Sequence, residues 1–280
     1  HLQFAMVPMN LARGRTAAFV LTGTWGEKAF AESARITETR VVASSADENY
    51  QDLPEMSHLP ADAAYLHYCG NETIHGVQYR QPPAAGVPLV ADLSSEFLSR
   101  PYPYADLGMA YAGAQKNLGV AGLTVVILRR DLVERIPDDL PQYFDYRTWI
   151  DSGSMKNTPS TFAWYVAAEV VDPMKASAGL HTLGERNEAK YEKPYPAIDA
   201  SDFYANPVAD EARSIMNVPF VMADDALTPE FVKQAEAAGM PGLKGHRSVG
   251  GLRASLYNAL GMDAVDALIE FMHEFERRHG

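Results

Sequence analysis

Two residues of this 280-residue chain, Asp92 and Lys116, stand where together they could support chemistry that neither supports alone. Each follows a β-rich apolar run, Asp92 after "GVPLVA" and Lys116 after "MAYAGAQ", and the two runs are consecutive. If both runs are strands of one sheet, both side chains reach one rim, the place where open α/β sheets bind ligands. A carboxylate and an amine there can serve two ends of one flat, cationic heterocycle. In pyridoxal-phosphate enzymes a lysine forms the Schiff base, while an aspartate pairs with the pyridinium nitrogen and keeps the ring an electron sink. The alternative is plainer: Asp92 caps the turn "LSSEF", and Lys116 is a solvated loop lysine. Spacing alone leaves both open.

Further candidates surround that pair. Trp25, in "TGTWGEKA", lies between a strand and a helix, where an indole could stack on a planar ring or simply fill the rim of a core. Thr73, in "GNETIHG", follows a strand end and offers a hydroxyl to a ring substituent or phosphate, or to its own turn. Asn157 and Thr158, in "KNTPS", precede a helix, either as phosphate contacts near its N-terminus or as an ordinary cap. "KGHRSVGGLRAS" gathers Lys244, His246, Arg247 and Arg253 around three glycines. In an acidic chain this local cluster suggests an anionic substrate gripped by arginine, and its bland alternative is a solvated basic turn.

The scaffold can be read from apolar runs. "TAAFVLTG" (16–23) predicts a strand, "EKAFAESARI" (27–36) a helix with Ala29, Phe30, Ser33 and Ala34 near one face, and "TRVVASS" a second strand. Such a βαβ unit predicts parallel pairing. "ADAAYLHYCGNET", "GVPLVADLSSEF", the run at 109–112 and "GLTVVILRR" supply four more strands. The run 123–128 is apolar without alternation and predicts a strand buried on both faces. The whole predicts a three-layer α/β domain with a mainly parallel sheet over residues 1–179.

Beyond about residue 180 the texture becomes a smaller α+β domain, 180–280. It opens on a polar helix rich in Glu and Lys, followed by strands in "IMNVPFVMA" and "GGLRASLY". Between them "TPEFVKQAEAAGM" predicts a helix with Thr228 as N-cap, Pro229 at the first helical position and Gly239 as its stop. The final helix buries Val265, Leu268, Ile269, Met272 and Phe275, with Arg277, Arg278 and His279 at the end its dipole favours for cations.

Composition narrows the function. Net charge is −12 and the pI about 5.1, which argues against a nucleic-acid surface. No apolar run approaches the ~20 residues that span a bilayer. A single cysteine, Cys69, excludes an internal disulfide and thiolate metal clusters, so no metal is expected, and a reducing cytoplasm is the expected compartment. No G-x-G-x-x-G follows a strand, so a nucleotide-binding Rossmann domain is not expected. The opening "HLQFAMVPMNLA" enters directly into a helix-like apolar pattern without an initiator methionine, and upstream sequence is expected to be missing.

"YAGAQKNLGVAGLTVVI", "HYCGNETIHG", "ADLSSEFLSRP", "NTPSTFAWY", "GHRSVGGLRASLYNA" and the ending "FMHEFERRHG" resemble the phosphoserine aminotransferases, class-V members of the fold-type-I pyridoxal-phosphate enzymes. The similarity runs along the whole chain, and its Ala-Gly-Ala-Gln-Lys-Asn core is highly specific. The resemblance implies a homodimer that uses pyridoxal 5'-phosphate and transfers an amino group between glutamate and 3-phosphohydroxypyruvate, giving phosphoserine and 2-oxoglutarate. It also leaves room for a phosphorylated threonine-like substrate of vitamin B6 synthesis. Residue by residue, it makes Lys116 the Schiff-base lysine and proton shuttle, Asp92 the pyridinium partner, Trp25 the stacking ring, Thr73 the hydroxyl near the ring oxygen, and Gln115 a neighbouring cofactor contact. Asn157 and Thr158 become the pair that reaches the cofactor phosphate of the other subunit. Arg253 is matched to the substrate α-carboxylate, and His246 and Arg247 to its distal anion.

Two departures accompany the match. Gly70 stands where many members have proline, a mild change in turn rigidity. The family's N-terminal segment, with a His-Arg substrate motif and a glycine-rich phosphate turn, is absent. The rival readings are a catalytically inert module that folds and pairs, and another fold-type-I enzyme such as a cysteine desulfurase, which would need Cys69 as a mobile nucleophile.

Overall fold

The computed structural model describes residues 1–176 and 179–280. Helix α1 (Leu2–Leu11) leads into β1 (Thr16–Leu21), α2 (Thr24–Ser33) and β2 (Thr39–Ser44), and β1 and β2 pair in parallel. Then come β3 (Ala63–Cys69), a small hairpin of β4 (Asn71–Glu72) and β5 (Val77–Gln78), β6 (Leu89–Asp92), β7 (Met109–Gly113) and β8 (Thr124–Leu128). Short helices α3 (Arg130–Val133) and α4 (Tyr146–Asp151) lead to the longer α5 (Thr161–Ala176) and α6 (Gly179–Tyr191). The remainder is α7 (Pro194–Asp199), β9 (Tyr204–Ala205), β10 (Asn217–Met222), α8 (Thr228–Ala237), β11 (Leu252–Ser255) and α9 (Met262–His279).

The main sheet has six strands in the order β2-β1-β3-β6-β7-β8. All its pairings are parallel except the last, β7 with β8. The period-two geometry of a strand explains the layers. Along β1, Ala17, Phe19 and Leu21 enter a core with α1, while Ala18 and Val20 enter the core on the opposite face. With both faces covered, every residue of β1 and β3 is buried, which is why these runs read as continuously apolar. A separate core joins Tyr195, Phe220, Phe231, Leu252, Val265 and Phe275 under the antiparallel sheet β11-β10-β9. Among the described residues no helix is long and apolar enough to cross a membrane.

Three local expectations are corrected. The run 123–128 is not buried on both faces: β8 is an edge strand, antiparallel, with Thr124 exposed and Ile127 38% exposed. An apolar edge strand and an apolar central strand carry the same letters, because the edge differs only in what lies beside it. Ala34 lies beyond α2 and is exposed, whereas Gly26, Ala29 and Ser33 are the residues that helix buries. Thr228 is already in helical conformation, and the cap lies earlier, where the Asp224 carboxylate accepts from the Ala226 N–H at 3.0 Å. Gly239 does stop α8, at φ +84°, a left-handed conformation that glycine adopts freely.

Candidate active site

Register puts the two central residues at the ends of neighbouring strands. Asp92 is the last residue of β6 and pairs with Tyr111 on β7, and Lys116 lies in the turn that follows β7. The turn after β6 is bonded to β7, since the Gly113 N–H donates to Ser94 Oγ at 3.0 Å and the Leu93 N–H to the Tyr111 carbonyl at 2.9 Å. Asp92 is 7% exposed and has no ion pair among the described side chains. Its Oδ1 accepts from the Ser94 N–H at 2.9 Å. Burial pushes its carboxyl up, and the Ser94 groups oppose that shift.

The Lys116 amine is half-buried and has no carboxylate partner among the described residues. It faces the Tyr257 ring, 5.4 Å from the centroid. Its turn is closed by N–H groups of Leu118 and Gly119 donating to the Ala114 carbonyl. Gln115 is exposed and folds back on that turn: a Cβ at Gly113 would stand 2.6 Å from its Oε1.

On the other side of the rim, Trp25 lies in the first turn of α2, and its indole N–H donates to Thr73 Oγ1 at 2.9 Å. The Thr73 carbonyl accepts from Arg253 Nη1 at 2.8 Å, so Trp25, Thr73 and Arg253 form one bonded series. Arg253 also carries a buried Nε with no partner. Beside it, His246 is held by Ser248 at 2.7 Å, and desolvation, then the cations Arg253, Arg247 and Lys28, depress its pKa. At neutral pH the cluster is therefore an uncharged imidazole among three cations, suited to an anion.

Asn157 and Thr158 are not brought to this site. Both are exposed in the loop before α5, and neither bonds to Asp92, Lys116 or Trp25. Their neighbours in sequence are exposed and apolar: Met155 at 55%, Phe162 at 67% and Tyr165 at 62%.

Sequence reasoning missed Glu72, Lys28 and Tyr257. Glu72 is fully buried, and its carboxylate accepts the N–H groups of Trp25 at 3.1 Å and Gly26 at 2.8 Å, fixing the start of α2. Burial pushes its carboxyl up to about 7, against those two N–H groups. A carboxylate inside an otherwise buried run was the available signal. Lys28 lies over the Trp25 ring at 4.5 Å, one helical turn along, and i,i+3 spacing would have found it. Tyr257 had no local signal.

Gly70 is more constrained than a change in turn rigidity. A Cβ there would meet Glu96 Oε1 at 2.0 Å and Leu93 Cδ2 at 2.7 Å. Buried Glu96 is in turn held by Arg100 at 3.1 Å and Gln78 at 2.8 Å. Cys69 is buried in β3, its thiol bonded to the Asn71 carbonyl and pushed well above its usual pKa, the opposite of an activated mobile nucleophile.

The aminotransferase class-V family profile matches residues 1–268. Phosphoserine aminotransferase of Pseudomonas aeruginosa is 48% identical over 99% of this chain and 78% of its own length. The Azotobacter vinelandii protein of the same name is 49% identical with the same coverage. Among solved structures, phosphoserine aminotransferase from Bacillus circulans subsp. alkalophilus superposes with a TM-score of 0.95 at 46% identity, over 99% of this chain and 78% of that one. A PLP-bound phosphoserine aminotransferase from Trichomonas vaginalis gives 0.92 at 39% identity, over 97% and 79%.

Proposed function

The chain belongs to the class-V aminotransferases, among the phosphoserine aminotransferases, and from that premise we propose that its substrates are L-glutamate and 3-phosphohydroxypyruvate, with Lys116 carrying the cofactor. It is a pyridoxal-phosphate-dependent transaminase of serine biosynthesis. The residues present fit that cofactor. Among the described residues Asp92 is a buried carboxylate with no ion-pair partner, an amine without one stands on the adjacent strand's turn, and an indole and a hydroxyl are already bonded to each other at the rim.

When bound, pyridoxal phosphate supplies an electron-poor ring that carries the amino group from donor to acceptor. The residues divide the remaining work. Lys116 Nζ would hold the cofactor and would take and return the substrate's Cα proton. Asp92 would hold the ring nitrogen in its protonated form. Trp25, fixed at its backbone by Glu72 and at its indole by Thr73, would supply the ring's stacking face. Arg253 takes the α-carboxylate, with Arg247 and His246 at the phosphate, and Gln115 adds a contact from the Lys116 turn.

Asn157 and Thr158 act on the cofactor phosphate of a second copy. Their exposure among Met155, Phe162 and Tyr165 supports pairing, because contiguous exposed apolar surface marks contact sites. Residues 1–179 form the cofactor-binding part and 180–280 the smaller one. A reducing cytoplasm suits a chain whose one cysteine, Cys69, is a buried free thiol.

The single observation that carries the reading is the register that puts Asp92 at the end of β6 and Lys116 in the turn after its neighbour β7. The purified chain with added pyridoxal phosphate should gain a visible absorbance band that borohydride bleaches and that Lys116→Ala lacks. It should also convert phosphohydroxypyruvate only when glutamate is supplied. No band with the wild type would leave an inert module as the better description.

A further inference from the structure

Helix α6 buries Gly184, Asn187 and Lys190, none of them a large apolar residue. Lys190 is fully buried, and its ammonium donates to three carbonyls: Leu256 at 2.9 Å, Tyr257 at 2.9 Å and Leu260 at 3.2 Å. No carboxylate pairs with it among the described residues. Burial lowers its pKa to about 8, so at neutral pH it still carries its proton. An unpaired buried ammonium is costly, and filling the same space with a methionine would pack as well. Its use must lie in the three acceptors.

Those acceptors belong to one loop, 256–260, directly after β11. The loop carries Tyr257, whose ring faces Lys116 Nζ, and Asn258, whose N–H donates to Asn117 Oδ1 at 3.1 Å. One turn back along α6, Asn187 Nδ2 donates to Asn258 Oδ1 at 2.9 Å and to the Ser99 carbonyl at 2.7 Å. Asn258 Nδ2 closes the circuit on the Leu98 carbonyl at 2.9 Å. Leu98 sits at φ +58°, a left-handed conformation unfavourable for leucine, which these bonds help to hold. One polar helix face thus ties together the segments that follow β6, β7 and β11.

We propose that Lys190, seconded by Asn187, is a positioning residue for Lys116: its ammonium is an internal cation around which the 256–260 loop is wound, setting Tyr257 against the amine and Asn258 against Asn117. The catalytic meaning rests on the reading of Lys116 given above, while the coupling between the segments does not. A positively charged centre suits the role better than a hydrophobic one because three carbonyl dipoles converging on one point repel each other unless a cation neutralises them.

The experiment is amide hydrogen exchange on the full chain, first without added cofactor, for the wild type, Lys190→Met and Lys190→Ala. The informative amides are those of Leu256 and Leu260 in the loop, and of Leu118 and Gly119 beside Lys116. In Lys190→Met both pairs should exchange about tenfold faster while α9 is unmoved. In Lys190→Ala, ammonium or methylammonium chloride should restore protection at both pairs, whereas tetramethylammonium chloride, too large for the vacated space, should not. Faster exchange confined to the loop, with Leu118 and Gly119 unchanged, would overturn the proposal by making Lys190 a local brace. So would equal recovery in both salts. If neither Lys190 variant folds, Asn187→Ala, which strands no charge, must itself speed exchange at Leu118 and Gly119, and failure to do so is equally decisive. Adding pyridoxal phosphate to the wild type tests Lys116 separately through its absorbance band.

Discussion

The floor of the site and its anion-binding rim are built differently. On the floor, Asp92 ends a strand, Trp25 is bonded at its backbone and at its indole, and Thr73 and Glu72 are buried. On the rim, Arg247 is exposed and His246 half-buried, in a loop with glycines on either side. On the function proposed above, the groups that would hold a flat ring are set by ladder and burial, while those that would meet a doubly charged substrate are left solvated. Arg253 belongs to both regions, because β11 places it and Thr73 holds it. The floor should therefore fail all at once when broken, and the rim by degrees.

The largest break is Lys116→Ala. The amine makes no ion pair among the described residues, so folding should be nearly untouched, while turnover falls on the order of 10³-fold or more with the loss of both attachment and proton transfer. Far-UV circular dichroism and single-turnover rates check the two halves. Residual cofactor-dependent turnover near the wild-type rate would remove Lys116 from the centre of the site. Asp92→Asn comes next, with turnover down roughly 10²-fold. Its stability should move the other way. Burial raises this carboxyl, so the folded chain loses stability as pH rises above the unfolded value, and asparagine escapes that loss. Cofactor-free Asp92→Asn should unfold in urea at neutral pH no earlier than the wild type.

The contrast between floor and rim also explains what the sequence could disclose. β1, β3 and β6 are legible because burial on both faces forces unbroken apolar runs, and Asp92 and Lys116 stand out because they lie where such runs stop. The edge position of β8 is not legible, because it depends on a neighbour the strand lacks. Glu72 touches Trp25 across 47 positions, and Lys190 touches Leu256 across 66, distances at which no local pattern links them. Asn157 and Thr158 are marked by their place before a helix and given a cross-subunit role by the resemblance, and within one chain they lie apart from the residues they are grouped with.

Glu72 gives a smaller, pH-resolved break of the floor. Its usual carboxyl value is 4.5 and its folded value about 7. Between them the unfolded chain has released its proton and the folded chain has not, so stability falls as pH rises through that window, by up to roughly 3 kcal/mol. Glutamine cannot titrate and keeps one acceptor oxygen for the two N–H groups. In urea denaturation, Glu72→Gln should therefore gain on the wild type steadily from pH 4.5 to 7 and hold a constant difference above 8. A difference flat across the whole range would mean that Glu72 stays ionised on folding.

The smallest effect is expected on the rim, from Arg247→Ala. Phosphohydroxypyruvate and phosphoserine present a carboxylate at one end and a phosphate at the other, so they need two cationic grips, of which Arg253 is assigned one. Arg247 is exposed and unpaired among the described side chains, so its removal costs the fold little. The loss of one charge-assisted hydrogen bond should weaken the phosphorylated substrates by ~1.5–3 kcal/mol. Glutamate ends in a carboxylate with less charge than the phosphate and should lose less. Arg253→Lys is the contrasting variant: it keeps a charge but not the planar fork that reaches both Thr73 and a carboxylate, so both substrates should suffer alike. Half-reactions measured separately with glutamate and with phosphoserine read the difference. Equal losses on both from Arg247→Ala would show that the rim does not divide its two anions between two arginines.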